Sequence, residues 1–217
     1  MEREVERQKR VAAEAAADLV EPGMAVGLGT GSTVRYLLPA LAARRLDLTC
    51  VATSPATEAR ATEAGLRVVP FAHLDRLDLA IDGSDQVDPA GWLIKGGGGA
   101  HTREKIVAAA ADRFVVIVSA NKTVDRLRAP VPLELLAFGL PATLRALPEA
   151  VLRPGAGPTP DGGVLADFMG DPADPAALAV RLDAVPGLVA HGLFPPALVA
   201  QVLIGGEAGV TVAQPSA

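Results

Sequence analysis

Residues 24–44 read MAVGLGTGSTVRYLLPALAAR. The short apolar run at the start predicts a strand over 24–27. It enters a loop, Gly27 to Thr33, with three alternating glycines and a closing Ser-Thr pair. The spacing of Tyr36, Leu37, Leu38 and Leu41 then predicts a helix over 34–44, with one apolar face. Strand, glycine loop and helix make the first half of a βαβ unit. The pattern repeats outward. Strands are predicted over 48–52, 66–71, 77–81 and 114–118, and helices over 4–20, 55–64 and 100–111, most of them punctuated by Gly or Pro. Such alternation implies an α/β fold with a mainly parallel sheet flanked by helices. After about residue 126 the texture changes. A strand near 133–136, a helix over 141–147, a Gly/Pro-rich turn with hairpin chemistry at Asp161-Gly162, a strand over 163–168, a helix over 175–183 and a strand around Val189 suggest a smaller α+β unit. The run 198–204 is expected to return the chain to the first sheet, and the last dozen residues are expected to form a poorly ordered tail. The predicted division is 1–127 with 203–217 for the α/β domain and 128–202 for the smaller one.

The chain has 217 residues, half of them hydrophobic but only 3% aromatic, so the core must be built from Ala, Val and Leu. The net charge of −5 argues against nucleic acid as a partner, because a phosphate backbone calls for a basic face. No apolar run approaches the ~18 residues of a membrane span. A single cysteine, Cys50, allows no intrachain disulfide, and a reducing cytoplasm is the simplest setting. Sixteen arginines stand against four lysines, Lys9, Lys95, Lys105 and Lys122. With that bias, a retained lysine marks a place where a compact ammonium fits and a planar guanidinium does not.

Four segments carry chemistry. Thr30, Gly31, Ser32 and Thr33 close a glycine loop at a helix start, where converging N–H groups and the helix dipole suit an anion. A P-loop would need a lysine here, and a dinucleotide fingerprint would need a different glycine spacing. A monophosphate cradle fits better, with a plain tight turn as the competing reading. Asp82-Gly83-Ser84-Asp85 follows a predicted strand, at the sheet end where open α/β folds bind ligands. Two carboxylates there suit sugar hydroxyls or proton exchange, although an Asp-Gly turn with solvated acids competes. Residues 95–105 read KGGGGAHTREK. Ordering each glycine costs roughly 0.5–1 kcal/mol relative to alanine, which a fold tolerates where backbone must approach a ligand. Lys95 enters this run and Glu104 lies one helical turn beyond it. A flexible linker, and an acid that merely complements the helix dipole, are the alternatives. Lys122 follows the strand over 114–118; a surface lysine is its plain reading. The three histidines, His73, His101 and His191, lack metal-ligand spacing, so no metal is expected.

Together GLGTGST, DGSD, KGGGGAHTREKIVA and Lys122 resemble the A-type ribose-5-phosphate isomerases in order and spacing. The resemblance continues through PVPLEL, VPGLVAHGLF and the terminal LIG. It implies interconversion of ribose 5-phosphate and ribulose 5-phosphate through an enediolate, without metal or cofactor. It also implies a Rossmann-like three-layer domain with a smaller ferredoxin-like domain, and a homodimer or homotetramer. By motif match Glu104 is the base, with Asp82, Asp85 and Lys95 assisting ring opening and charge stabilisation. Thr30, Gly31, Ser32, Thr33, Gly83, Ser84, Gly96, Gly97 and Gly98 line the sugar-phosphate site. Lys122 and Lys9 neutralise phosphate. The family's DGADE is DGSDQ here, with Ser84 and Gln86 in place of Ala and Glu, which bears on substrate range. A sugar-phosphate sensor without turnover and an acyl-CoA transferase with a glutamate nucleophile are the other function classes considered.

Overall fold

The computed structural model describes residues 2–215. In chain order the first elements are α1 (Glu2–Ala17), β1 (Ala25–Leu28), α2 (Val34–Arg44), β2 (Thr49–Ala52), α3 (Pro55–Glu63) and β3 (Leu79–Asp82). Then come β4 (Gln86–Val87), β5 (Leu93–Ile94), α4 (His101–Ala109) and β6 (Phe114–Ser119). The later part contains β7 (Val131–Leu135), α5 (Leu140–Ala146), β8 (Ala150–Leu152), β9 (Val164–Phe168), α6 (Pro175–Asp183) and β10 (Leu188–His191). The chain ends with β11 (Leu193–Phe194), β12 (Gln201–Gly206) and β13 (Gly209–Ala213).

The main sheet runs β13-β12-β6-β3-β1-β2, parallel except for β13. Alternation along β6 shows the three layers. Val115 and Ile117 face a core with Ala12, Ala16, Leu37 and Leu41 from α1 and α2. Phe114, Val116 and Val118 face the other way, against Val107 and Ala108 of α4. Both faces are buried, as a parallel sheet requires. Glycines set the spacing at two places. A Cβ on Gly27 would overlap Val107, and one on Gly205 would overlap the backbone carbonyl of Gln8 in α1.

The chain leaves this sheet after β6 and re-enters it at β12, which lies parallel to β6. Between them a separate antiparallel sheet forms in the order β10-β7-β9-β8. With α5 and α6 it follows a β-α-β-β-α-β path, the ferredoxin-like pattern. Its own core is built on Leu133, Leu135, Leu147, Phe168 and Leu182. A third, small sheet, β11-β5-β4, draws the exit from β10 back against the strand that carries Lys95.

Four expectations change. Residues 66–71 form no strand beyond a bridge between Cys50 and Val68, because Pro70 has no N–H to continue the ladder and Phe71–His73 turns into a 3-10 helix. The predicted tail contains β13, paired with β12 from Val202–Ala213 to Gly206–Gly209; residues 216 and 217 lie outside the described ones. The hairpin chemistry at Asp161-Gly162 is a turn, with Gly162 at φ 82°, inside the longer connection from β8 to β9. Strand β7 starts earlier than expected, at Val131, and contains Pro132. Proline is tolerated there because the pairing with β10 ends at Leu133 opposite His191.

Candidate active site

Four loops converge at the carboxyl ends of the parallel strands. One cleft is lined by Thr30, Gly31, Ser32 and Thr33 after β1, and by Gly83, Ser84 and Asp85 after β3. Lys95, Gly96, Gly97, Gly98 and Glu104 add the third side, and Lys122 the fourth. Asp82 lies beneath the cleft, 3% exposed. Lys9 is not brought to it: its ammonium sits on α1, 2.7 Å from Glu6.

The floor is a buried charge cluster. The Lys95 ammonium, 2% exposed, donates to Asp82 Oδ2 at 2.8 Å and to the Gly83 carbonyl at 2.6 Å. It lies 3.0 Å from Glu104 Oε2, within ion-pair range but out of line for a hydrogen bond, so that buried oxygen has no aligned donor among the described residues. Burial pushes the Glu104 carboxyl up to about 8, helped by the charge of Asp82 and opposed by Lys95. Burial raises Asp82 too, against the pull of Lys95 and of the Gly83 and Thr30 N–H groups. Asp82 holds three donors, from Thr30 N–H, Gly83 N–H and Lys95, which favour its charged form. Burial works against the Lys95 charge, but Asp82 and Glu104 outweigh it and hold the ammonium above its ordinary value.

The glycine loop after β1 does more than the sequence suggests. A Cβ on Gly29 would overlap the Asp82 carboxyl, and Thr30 N–H donates to Asp82 Oδ1 at 3.0 Å. Half of the loop therefore seats a carboxylate. The other half, Gly31 to Thr33, opens α2 with Gly31 at φ 132° and no side-chain cap on the helix, leaving N–H groups toward the cleft. The Thr30 hydroxyl is tied to Thr53 and Ser54 at 2.8 Å each and to Thr57 at 3.2 Å, a hydroxyl cluster from the β2–α3 turn that motif reading overlooked.

In the glycine run, Gly97 N–H donates to Asp85 Oδ2 at 2.8 Å and Gly99 N–H to the Gly96 carbonyl at 2.9 Å. The N–H groups of Gly96 and Gly98 make no hydrogen bond among the described residues. The second domain grips the start of α4 from outside. Buried Glu134 of β7 accepts from the hydroxyls of Thr102 and Thr159, and Arg103 forms a two-pronged pair with Asp161 at 2.7 Å. These contacts of Glu134 and Asp161 were not legible in the sequence, since the partners on α4 are 32 and 58 residues away. Among the described residues, no group of three or more His, Cys, Asp or Glu side chains is placed to hold a metal ion. No described helix is long and apolar enough to cross a membrane.

Residues 49–209 match the family described as ribose 5-phosphate isomerase A (phosphoriboisomerase A). The chain belongs to this family. It is 49% identical over 205 residues to a ribose-5-phosphate isomerase A of Roseiflexus castenholzii, covering 86% of each. It superposes on the crystal structure of ribose 5 phosphate isomerase A from Neisseria gonorrhoeae with a TM-score of 0.92 at 31% identity, over 98% of both chains. A D-ribose-5-phosphate isomerase solved in complex with phospho-erythronic acid gives 0.90 at 33% identity, over 97% of this chain and 99% of that one.

The departures from the usual DGADE of the ribose 5-phosphate isomerase A family acquire structural reasons. The Gln86 amide donates to the Arg128 carbonyl and accepts from the Arg128 N–H, both at 2.8 Å. A glutamate carboxylate could accept but not donate there. The side chain is absent from this cleft's lining but lines an adjoining depression with Asp85 and Lys122. The Ser84 hydroxyl shares its one proton between the carbonyls of Gln86 and Ile94, at 2.7 and 2.9 Å, and stiffens the turn between the two aspartates.

Proposed function

We propose that Glu104 is the base that moves a proton between C2 and C1 of the open-chain sugar, in the interconversion of ribose 5-phosphate and ribulose 5-phosphate. That interconversion is the reaction of the family, and of this chain. One observation carries the assignment: a buried carboxylate oxygen at the cleft has no aligned donor among the described residues, in a group raised to about 8. A carboxylate so raised is a stronger base than an exposed one, and the weakly acidic C–H next to a carbonyl needs that strength.

The charge that moves onto the substrate oxygens as the enediolate forms is met by the Lys95 ammonium and the uncommitted Gly96 and Gly98 N–H groups. Such fixed donors are typically worth 10²–10³ in rate. Asp85, anchored on Gly97 N–H, and Asp82, held under Lys95, assist ring opening. Gly31, Ser32 and Thr33 at the α2 start, with Lys122 opposite, receive the phosphate; Thr30, Gly83 and Ser84 complete the sugar site. Lys9, paired with Glu6, reaches the phosphate only by leaving that partner. In the division proposed, residues 1–127 with 203–217 carry the cleft and 128–202 brace it. A homodimer or homotetramer is supported by apolar side chains left outside on the second domain, Phe138 at 93% and Val180 at 72% exposure. A cytoplasmic setting is supported by the free thiol of Cys50.

Incubated with ribose 5-phosphate in D₂O, the protein is expected to form ribulose 5-phosphate with deuterium at C1. Tight binding with neither conversion nor exchange would overturn the reading and favour a sensor. Lys122→Ala is expected to raise KM by about tenfold with kcat nearly kept, as loss of a remote phosphate contact does when ground and transition states use it equally. An unchanged KM would remove Lys122 from the phosphate site.

A further inference from the structure

The glycine run has no side chains of its own to hold it, and glycine has the widest backbone freedom of any residue. Gly99 N–H holds the Gly96 carbonyl and Asp85 accepts from Gly97 N–H, and a further grip comes from the second domain. Arg153 follows β8, and its guanidinium is locked onto Asp167 of β9, Nε at 3.0 Å and Nη2 at 2.5 Å. The free arm, Nη1, donates to two consecutive carbonyls of the run, Gly96 and Gly97, at 3.2 Å each. Arg153 does not itself line the cleft.

The peptide unit is planar and trans, so a carbonyl and the N–H of the next residue point in opposite directions. Holding the Gly96 carbonyl from behind aims Gly97 N–H forward, where Asp85 accepts it at 2.8 Å. Holding the Gly97 carbonyl aims Gly98 N–H the same way, and that N–H has no protein partner among the described residues. We infer that Arg153, steadied by Asp167, is a positioning residue of the isomerase reaction: through the Gly96 and Gly97 carbonyls it sets the direction of the Gly97 and Gly98 N–H groups. One of those seats Asp85; the other is presented to the oxyanion of the substrate. The inference rests on the proposed function of the cleft.

The arrangement suits arginine and not lysine. Two donors must satisfy Asp167 while a third, at a fixed angle, spans two carbonyls, and a single ammonium on a flexible stem cannot do both. Loss of the grip leaves the amides in place on average but free to swing. A donor that must be reoriented during reaction loses most of its value, and small misplacements cost up to about 10²-fold.

The test compares steady-state kinetics of Arg153→Ala, Arg153→Lys and Asp161→Asn with the parent. Asp161→Asn removes the charge and one prong of another second-domain contact, with Arg103, without touching the glycine run. Arg153→Ala and Arg153→Lys are each expected to lose about tenfold or more in kcat, with KM within about threefold. Asp161→Asn is expected to stay within about threefold in kcat. Affinity for phospho-erythronic acid, whose carboxylate stands in for the enediolate oxygens, is expected to fall with kcat, while inorganic phosphate binds unchanged. Should Arg153→Ala not fold, Arg153→Lys carries the test alone. Lysine restoring kcat to the parental range, or Asp161→Asn losing as much as Arg153→Ala, would reduce Arg153 to domain docking and overturn the inference. Failure of the parent to convert ribose 5-phosphate would instead strike the proposed function, and is read separately.

Discussion

Glu104→Gln is expected to lower kcat by about 10²–10⁴ while KM for ribose 5-phosphate changes little. The amide keeps the size of the carboxyl and keeps an oxygen beside the Lys95 ammonium, so the cleft keeps its shape. What it cannot do is take a proton from carbon. The groups proposed for the phosphate, Ser32, Thr33 and Lys122, belong to other loops, which is why binding should survive. A variant retaining more than about a tenth of the parental kcat would remove Glu104 from the role of base. The pH dependence supplies a second check. Glu104 must be ionised to act, and burial raises its carboxyl to about 8. The kcat/KM of the parent should therefore climb with pH up to about 8 and level above it. In the Gln variant that limb should vanish from the residual rate. Stability moves in the opposite sense. A carboxyl raised from 4.5 in the unfolded chain to about 8 favours the fold fully below 4.5 and progressively less up to about 8. The Gln variant should thus melt no lower than the parent at pH 8, which separates lost chemistry from lost structure.

Local chemistry explains what the sequence made legible. Helices α2 and α6 were predicted over 34–44 and 175–183, and those are their bounds, because each begins and ends on local signals. Asp174 accepts from Ala177 N–H at 3.0 Å, and Pro175 opens the first turn. The glycine motifs were legible for the same reason, since unusual backbone shapes are imposed within a few residues. Contacts between distant segments were not. Gln86 reads as a lost charge until it is seen clasping the backbone of Arg128, 42 residues on. Arg153 sits just before a Gly/Pro-rich turn and meets Gly96 across 57 residues. Strand β8 has two of its three side chains exposed, so it lacks the alternation that would have marked it. Even Gly29, read as part of an anion loop, owes its identity to Asp82, which arrives from another strand.

Lys95→Met is expected to damage the molecule more than any change nearby, by about 3–5 kcal/mol of folding stability, because it leaves buried carboxylates without their cation. In the parent one ammonium serves Asp82 at 2.8 Å and Glu104 at 3.0 Å, and all three groups are at most 6% exposed. Methionine fills the volume and supplies nothing else. Against a total stability of about 5–15 kcal/mol, the loss should show as a large drop in the denaturant midpoint at pH 8. The loss should also depend on pH in a definite sense. Without Lys95 both carboxyls are pushed further above their unfolded values, so the penalty is full at high pH and fades as the pH falls and they take up protons. A deficit that stayed constant from pH 8 to 5 would mean that packing, not charge, had been lost. Lys95→Arg should not rescue, since the larger guanidinium has no room in a site 2% exposed. That agrees with a lysine being kept in a chain with sixteen arginines. The double variant Lys95→Met with Asp82→Asn removes one unpaired charge and should recover more than half of the stability. Turnover should stay as low as in Lys95→Met, because the enediolate charge has lost its cation whether or not the fold has recovered.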